Sequence, residues 1–205
     1  MSPLNGYGRA VERNARAVAT AVRPNLATST DRELLAAHAA GERDAFAELF
    51  RRHRDHLYQV ARRTCPTQVD AEDSVQEAML SAHRNAAGFR GDAEVRSWLH
   101  RIVVNACLDR IRRNKLRTTV PLTEDKADEH RYDRDDYAAL EATLLVDAAL
   151  FTLPDEQRTA LVAVELHGLT IAEAAERLGI PEGTVKSRCA RARQRLTAHF
   201  QAMHN

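Results

Sequence analysis

The chain is poor in the residues that make staples, tight turns and stacked sheets: 3 cysteines, 6 prolines, 8 glycines and one tryptophan in 205 positions. Cys65, Cys107 and Cys189 lie far apart and form no CxxC pair. This excludes a disulfide framework and a cysteine zinc site, and fits a reducing compartment. No run approaches the ~18 consecutive apolar residues of a membrane span, and no apolar signal-peptide core follows the start, so a soluble, cytoplasmic chain is expected. Phosphate-cradling loops, nucleophile elbows and zincin motifs are missing, so hydrolytic chemistry has no basis in the sequence. His53 and His56 stand three apart on an expected helix. With no carboxylate or cysteine suitably placed beside them they read as solvated histidines, and neither a metal nor a cofactor is expected.

What is abundant is Ala, Leu, Glu and Arg, the composition of helices rather than of sandwiches or barrels. The length suits two small helical domains, so the expected fold is all-α. The 30 Lys and Arg nearly cancel the 29 Asp and Glu, for a net charge of +1, but the charges are segregated along the chain. Residues 1–29 carry Arg9, Arg13, Arg16 and Arg23 against a single acid and read as a mobile basic tail. Thr30 and Asp31 then open a helix through Leu34, Leu35 and His38. Apolar residues recur at helical spacing to Arg113, giving a first bundle over 30–113. Residues 114–137 hold Pro121 and seven acids from Glu124 to Asp136 with almost nothing large and apolar, so they read as a flexible acidic linker. Periodicity returns at Leu140, Leu144 and Leu145 and defines a second unit over 138–203. The two units are expected to be tethered, not fused.

The second unit contains GLTIAEAAERLGIPEGTVKSRCARARQR. Thr170 and Glu173 have capping-box spacing, Ala172, Ala174 and Ala175 permit close packing, Gly179 supplies a turn, and Pro181 opens the next helix. Helix, glycine turn, helix is the arithmetic of a helix-turn-helix. Projected at ~100° per residue, Val185, Cys189, Ala192, Leu196 and Phe200 form an inward stripe, with Cys189 as a small core residue. Lys186, Ser187, Ala190, Arg191 and Gln194 face outward, flanked by Arg188, Arg193 and Arg195. A major groove accepts such a helix: its N-terminal side chains reach base edges while arginines neutralise phosphates.

At this point the chain resembles the extracytoplasmic-function (ECF) sigma factors of RNA polymerase. DAEDSVQEAMLSAHR resembles region 2.2, FRGDAEVRSWLHRIVVNACLDRIRR regions 2.3 and 2.4, and LPDEQRTALVAVELHGLTIAEAAERLGIPEGTVKSRCARARQRL region 4. The wording of SWLHRIVVNACLDR and EGTVKSRCARAR falls nearest the SigM group. The resemblance implies a non-catalytic subunit that binds core polymerase, recognises −35 and −10 promoter elements and promotes initiation. Implied partners are the clamp helices of the largest polymerase subunit for region 2, the flap for region 4, promoter DNA and a possible anti-sigma factor. The tail of about thirty residues is longer than the compact family pattern.

For −35 DNA the candidates are Thr184, Lys186, Ser187, Arg188, Arg191, Arg193 and Arg195. On the helix from Val95, the residues Trp98, Arg101, Asn105, Asp109 and Arg112 share one stripe, where an aromatic, an amide and arginines suit strand opening. The resemblance places a flipped −10 base at Asn105, with Phe89, Arg90, Gly91 and Asp92 in the adjoining loop; an amide both donates and accepts, so it can read a base edge. Trp98 serves equally as a core anchor. On the helix near Asp70, the acids Asp70, Asp73 and Glu77 flank Gln76 and an exposed Leu80, which suits a basic polymerase coiled coil. The rival readings are a helix-turn-helix regulator that binds its operator unaided, a magnesium-dependent nuclease and a partner that sequesters polymerase. The acids of 124–136 are too flexible to preorganise a metal site.

Overall fold

A computed structural model of the chain describes residues 25–117 and 137–203. Every regular element among them is helical. Helix α1 (Asp31–Ala39) opens where expected. The Glu33 amide donates to the Thr30 hydroxyl at 3.3 Å, while the Thr30 amide donates back to the Glu33 carboxylate at 2.7 Å. Helix α2 (Arg43–Thr64) buries Ala45, Leu49, Leu57, Val60, Ala61 and Thr64, a stripe at three- and four-residue spacing. Helix α3 (Gln68–Asn85) starts at Thr67, whose hydroxyl accepts from the Asp70 amide at 3.1 Å. A single 3₁₀ turn, Ala86–Gly88, leads towards α4 (Val95–Arg117), which buries Leu99, Val103, Cys107 and Leu108 against α2 and α3.

The second unit consists of α5 (Tyr137–Phe151), α6 (Asp155–Leu161), α7 (Ile171–Leu178) and α8 (Glu182–Met203). Between α6 and α7 the chain widens into a π-helical turn over Val162–Leu166, closed by the His167 amide on the Val162 carbonyl at 3.0 Å. The second core gathers Leu150, Leu161, Val162, Ala174, Val185 and Cys189.

Three expectations change. Residues 25–29, expected to belong to a mobile tail, form a turn whose carbonyls meet one guanidinium: Arg52 donates to Ser29 O at 2.6 Å, Leu26 O at 2.7 Å and Ala27 O at 3.0 Å. The rest of the tail, residues 1–24, lies outside the described residues, as do the linker acids of 124–136. Helix α4 continues to Arg117, past the expected end at Arg113. The two units, expected to be tethered only, also share a polar seam. Arg63 of α2 grips Asp147 of α5 at 2.5 and 3.1 Å, Arg158 of α6 donates to Cys65 O at 3.2 Å, and Thr159 donates to Thr64 O at 3.1 Å. Leu178 of α7 is buried in the first core, and Leu169 and Ile180 touch both cores.

Candidate nucleic-acid interface

The turn between α7 and α8 is fixed locally. Thr170 and Glu173 complete a capping box, and hydrogen bonds from Thr170 hold the exposed Glu173 carboxyl below its ordinary range. Gly179 ends α7 at φ 60°, a left-handed conformation that a side chain disfavours. The Ile180 amide reaches back to Ala175 O at 3.1 Å, and Pro181 O accepts the first bonds of α8 from Thr184 at 2.9 Å and Val185 at 3.2 Å. Helix α8 thereby leaves the turn in one direction, with Val185, Cys189 and Ala192 buried.

The outward face carries Lys186, Ala190, Arg191, Gln194 and Arg195, all exposed, while Thr184 and Ser187 are half-buried. Ser187 donates to Thr184 O at 3.0 Å. The five cations differ in their engagement. Arg188 pairs with Glu156, Arg193 with Glu165 at 2.5 Å, and Lys186 approaches Glu182 at 3.9 Å. Arg191 and Arg195 have no carboxylate partner among the described residues. Arg188 and Arg193 therefore also fasten α8 to α6 and the π turn. Phe200, expected inside, is 37% exposed because α8 outruns the elements it packs on.

On the first unit the stripe along α4 is real but divided. Trp98 is half-buried against Phe89, ring centroids 5.3 Å apart, and both pack on the core. Arg90 and Asp92 are exposed beside Gly91, whose carbonyl accepts from Arg32 at 3.0 Å; at φ 79°, Gly91 uses its conformational freedom. Arg101 is exposed and lines a cavity of about 330 Å³ with His56, Arg96, Ser97 and His100. Asn105 is half-buried, and its Oδ1 accepts from Arg177 of α7. Asp109 and Arg112 are exposed, and Lys115 donates to Gly179 O at 3.4 Å.

The acidic face of α3 is not a row of free carboxylates. Asp70 accepts from Thr67 and from Asn114, each at 2.8 Å. Asp73 pairs with Arg110 at 2.7 Å, and Glu77 with Arg113 at 2.7 Å, which holds the Glu77 carboxyl below its ordinary range. Gln76 is exposed, and Leu80 is 58% exposed. Val69, not singled out from sequence, is 59% exposed and shares the spacing of Asp73, Gln76 and Leu80. Its signal was present in the helical period.

The two histidines expected to be solvated are not. His53 is buried with Nε2 2.6 Å from Asp31 Oδ2, because α1 brings its first turn over α2. His56 Nδ1 accepts from Arg96 at 3.3 Å, and burial followed by Arg96 pushes the ring down to about 4. Arg177, His100 and His167 were missed altogether. Their partners lie 67 to 103 positions away in sequence, where periodicity gives no signal. Among the described residues no helix is long and apolar enough to cross a membrane.

Residues 49–117 match the family model for sigma-70 region 2, and residues 143–196 match that for sigma-70 region 4. The chain is 57% identical over 168 residues to the ECF RNA polymerase sigma factor SigM of Mycobacterium tuberculosis strain H37Rv, covering 82% of this chain and 83% of that one. It is 33% identical to SigW of Bacillus subtilis strain 168, covering 76% and 89%. Among solved structures, CnrH in complex with the cytosolic domain of CnrY is 30% identical over 85% of this chain and 99% of that one, at a TM-score of 0.44. The order of the two matched regions, and a relative of this identity along most of both lengths, do not favour a lone helix-turn-helix regulator. The chain belongs to the ECF sigma factors, subunits that bind core RNA polymerase, recognise promoter elements and direct transcription initiation.

Proposed function

We propose that residues 138–203 read the −35 element through α8, and that residues 30–113 engage the −10 element along α4 and core polymerase along α3. The observation that carries the first assignment is the division of α8 into a buried stripe at Val185, Cys189 and Ala192 and an exposed face at Lys186, Ala190, Arg191 and Gln194. A rigid helix with its inner face committed to a core presents the outer face to a groove at fixed register. Thr184, Ser187 and Arg191 sit nearest the base edges, while Arg188, Arg193 and Arg195 neutralise phosphates from the flanks.

On α4, Arg101, Asp109 and Arg112 border Asn105, the amide that takes a flipped −10 base. Phe89 and Trp98 support the loop of Arg90, Gly91 and Asp92. On α3, Leu80, Val69 and Gln76 meet the clamp helices of the largest subunit. Asp70, Asp73 and Glu77 add charge complementarity there while remaining bonded to α4. The flap receives the second domain, and an anti-sigma factor that competes for these faces is consistent with this reading. The chain works in the cytoplasm and catalyses nothing itself.

The test is reconstitution. Purified chain is added to core polymerase and fragmented genomic DNA, and transcript starts are mapped. New starts that share a −35 and a −10 motif are expected; no new start overturns the reading.

A further inference from the structure

The −10 amide is covered in this structure by the −35 domain: Arg177 of α7 donates to Asn105 Oδ1, and Leu178 is buried beside it in the first core. A flipped base would compete with Arg177 for that oxygen. The seam that seats α7 passes through one histidine. His167 Nε2 lies 2.9 Å from Thr64 Oγ1, and Thr64 spends its own proton on Val60 O at 2.7 Å. The Thr64 oxygen is therefore an acceptor, so His167 carries its proton on Nε2 and leaves Nδ1 as a lone pair. His100 Nε2 lies 3.2 Å from that Nδ1 and donates to it. Neutral His167 satisfies both neighbours; a second proton, placed on Nδ1, meets the N–H of His100 or forces His100 onto its other tautomer.

We propose that His167 is a proton-released latch, which closes the two domains over Asn105 when neutral and lets them part when protonated. Only the consequence for −10 recognition rests on the role assigned to Asn105.

Of the groups around the latch, His100 and Arg63 oppose a positive charge on the ring, while the Thr64 oxygen accepts from it in either state. From α2 come Thr64 and Arg63, and from α4 come His100 and, beyond it, Arg96. Asp147 of α5, the carboxylate nearest Arg63, is gripped by it at two atoms. Burial, then His100, then Arg63 push His167 down to about 3. Parting the domains hydrates the ring and returns it towards ~6.5. A group depressed in the closed form takes up a proton on opening, so the closed-to-open ratio falls up to ~10-fold per pH unit below ~6.5. One such histidine lowers the ratio roughly 10-fold between pH ~7.5 and ~5.5. His100 is lowered by burial and then by Arg96 on its own helix, so only its burial responds to opening. His56 is pushed down by burial and by groups of the first domain alone, and it stays with them.

The experiment uses the full chain with dyes on Arg84→Cys and Ala198→Cys, exposed positions in the two domains; the native thiols are buried. An Arg177→Ala background loosens closure away from His167, so that both states are populated. Energy transfer is expected to report a roughly 10-fold fall in the closed-to-open ratio between pH ~7.5 and ~5.5. His167→Gln, which keeps a donor for Thr64 but cannot charge, is expected to remove most of the response, leaving only what His100 contributes as its burial is relieved. An equal response in His167→Gln, or none in either chain, overturns the latch. Capture of a labelled −10 single strand by the chain with Arg177 intact is the second readout. Acid-driven opening without increased capture supports the latch and counts against the base pocket at Asn105.

Discussion

Arg188 and Arg191 stand three residues apart on α8 and have opposite commitments. Arg188 is held by Glu156 and its side chain is 19% exposed, whereas Arg191 is exposed with no carboxylate beside it among the described residues. A guanidinium already bonded to an acid must give up that bond, or share it, to meet DNA; an unpaired one need not. Arg191→Ala is therefore expected to lose ~1–3 kcal/mol of discrimination at one −35 base pair. Competition between promoter variants, with holoenzyme at fixed salt, measures it. An equal loss on every sequence would make Arg191 a phosphate contact instead.

Helices α7 and α8 were legible because their signals are local. A cap needs residues three apart, a turn needs one glycine, and a buried stripe needs the helical period. Gly179→Ala tests the turn. The added Cβ meets only the Arg112 side chain, Cγ at 3.7 Å and Cδ at 4.0 Å, ordinary contact, so the cost comes from φ 60° and is ~1–2 kcal/mol. Thermal unfolding should show the loss, while an unchanged midpoint would mean the turn relaxes. The acids of α3 were legible as a face, but their partners were not, since Arg110 and Arg113 follow 36 or 37 positions later on another helix. Asp73 and Glu77 are about half exposed, so each pair adds only ~0–1 kcal/mol. The charge swap of Glu77→Arg with Arg113→Glu, both about half exposed, should keep stability nearly unchanged and weaken capture by core polymerase. Full capture by the swapped chain would remove Glu77 from the polymerase contact.

The seam between the domains had no sequence signature, and the reason is physical. It is built from Arg63, Thr64, Asp147, Arg158 and His167, whose hydrogen-bond partners lie across the seam; Thr64, Asp147 and Arg158 are buried there and Arg63 and His167 half-buried. A sequence read in segments yields two tethered units, and the closed pair emerges only when both are placed. Closure changes how binding is measured, because the apparent dissociation constant is the intrinsic one divided by the open fraction. Asp147→Ala leaves Arg63, with 22% of its side chain exposed, facing the seam without its carboxylate. Removing one partner of a largely buried pair costs ~3 kcal/mol; with this residual hydration, ~2 is the better figure. That shifts the closed-to-open ratio by about 30-fold. If core polymerase accepts only the open chain, its apparent affinity for Asp147→Ala should rise by up to that factor, levelling off once the open form dominates. Equilibrium titration of labelled chain with core polymerase reads this directly. A weaker complex would mean that the Arg63–Asp147 contact persists in the bound state, and that the domains open by hinging about this pair rather than by releasing it.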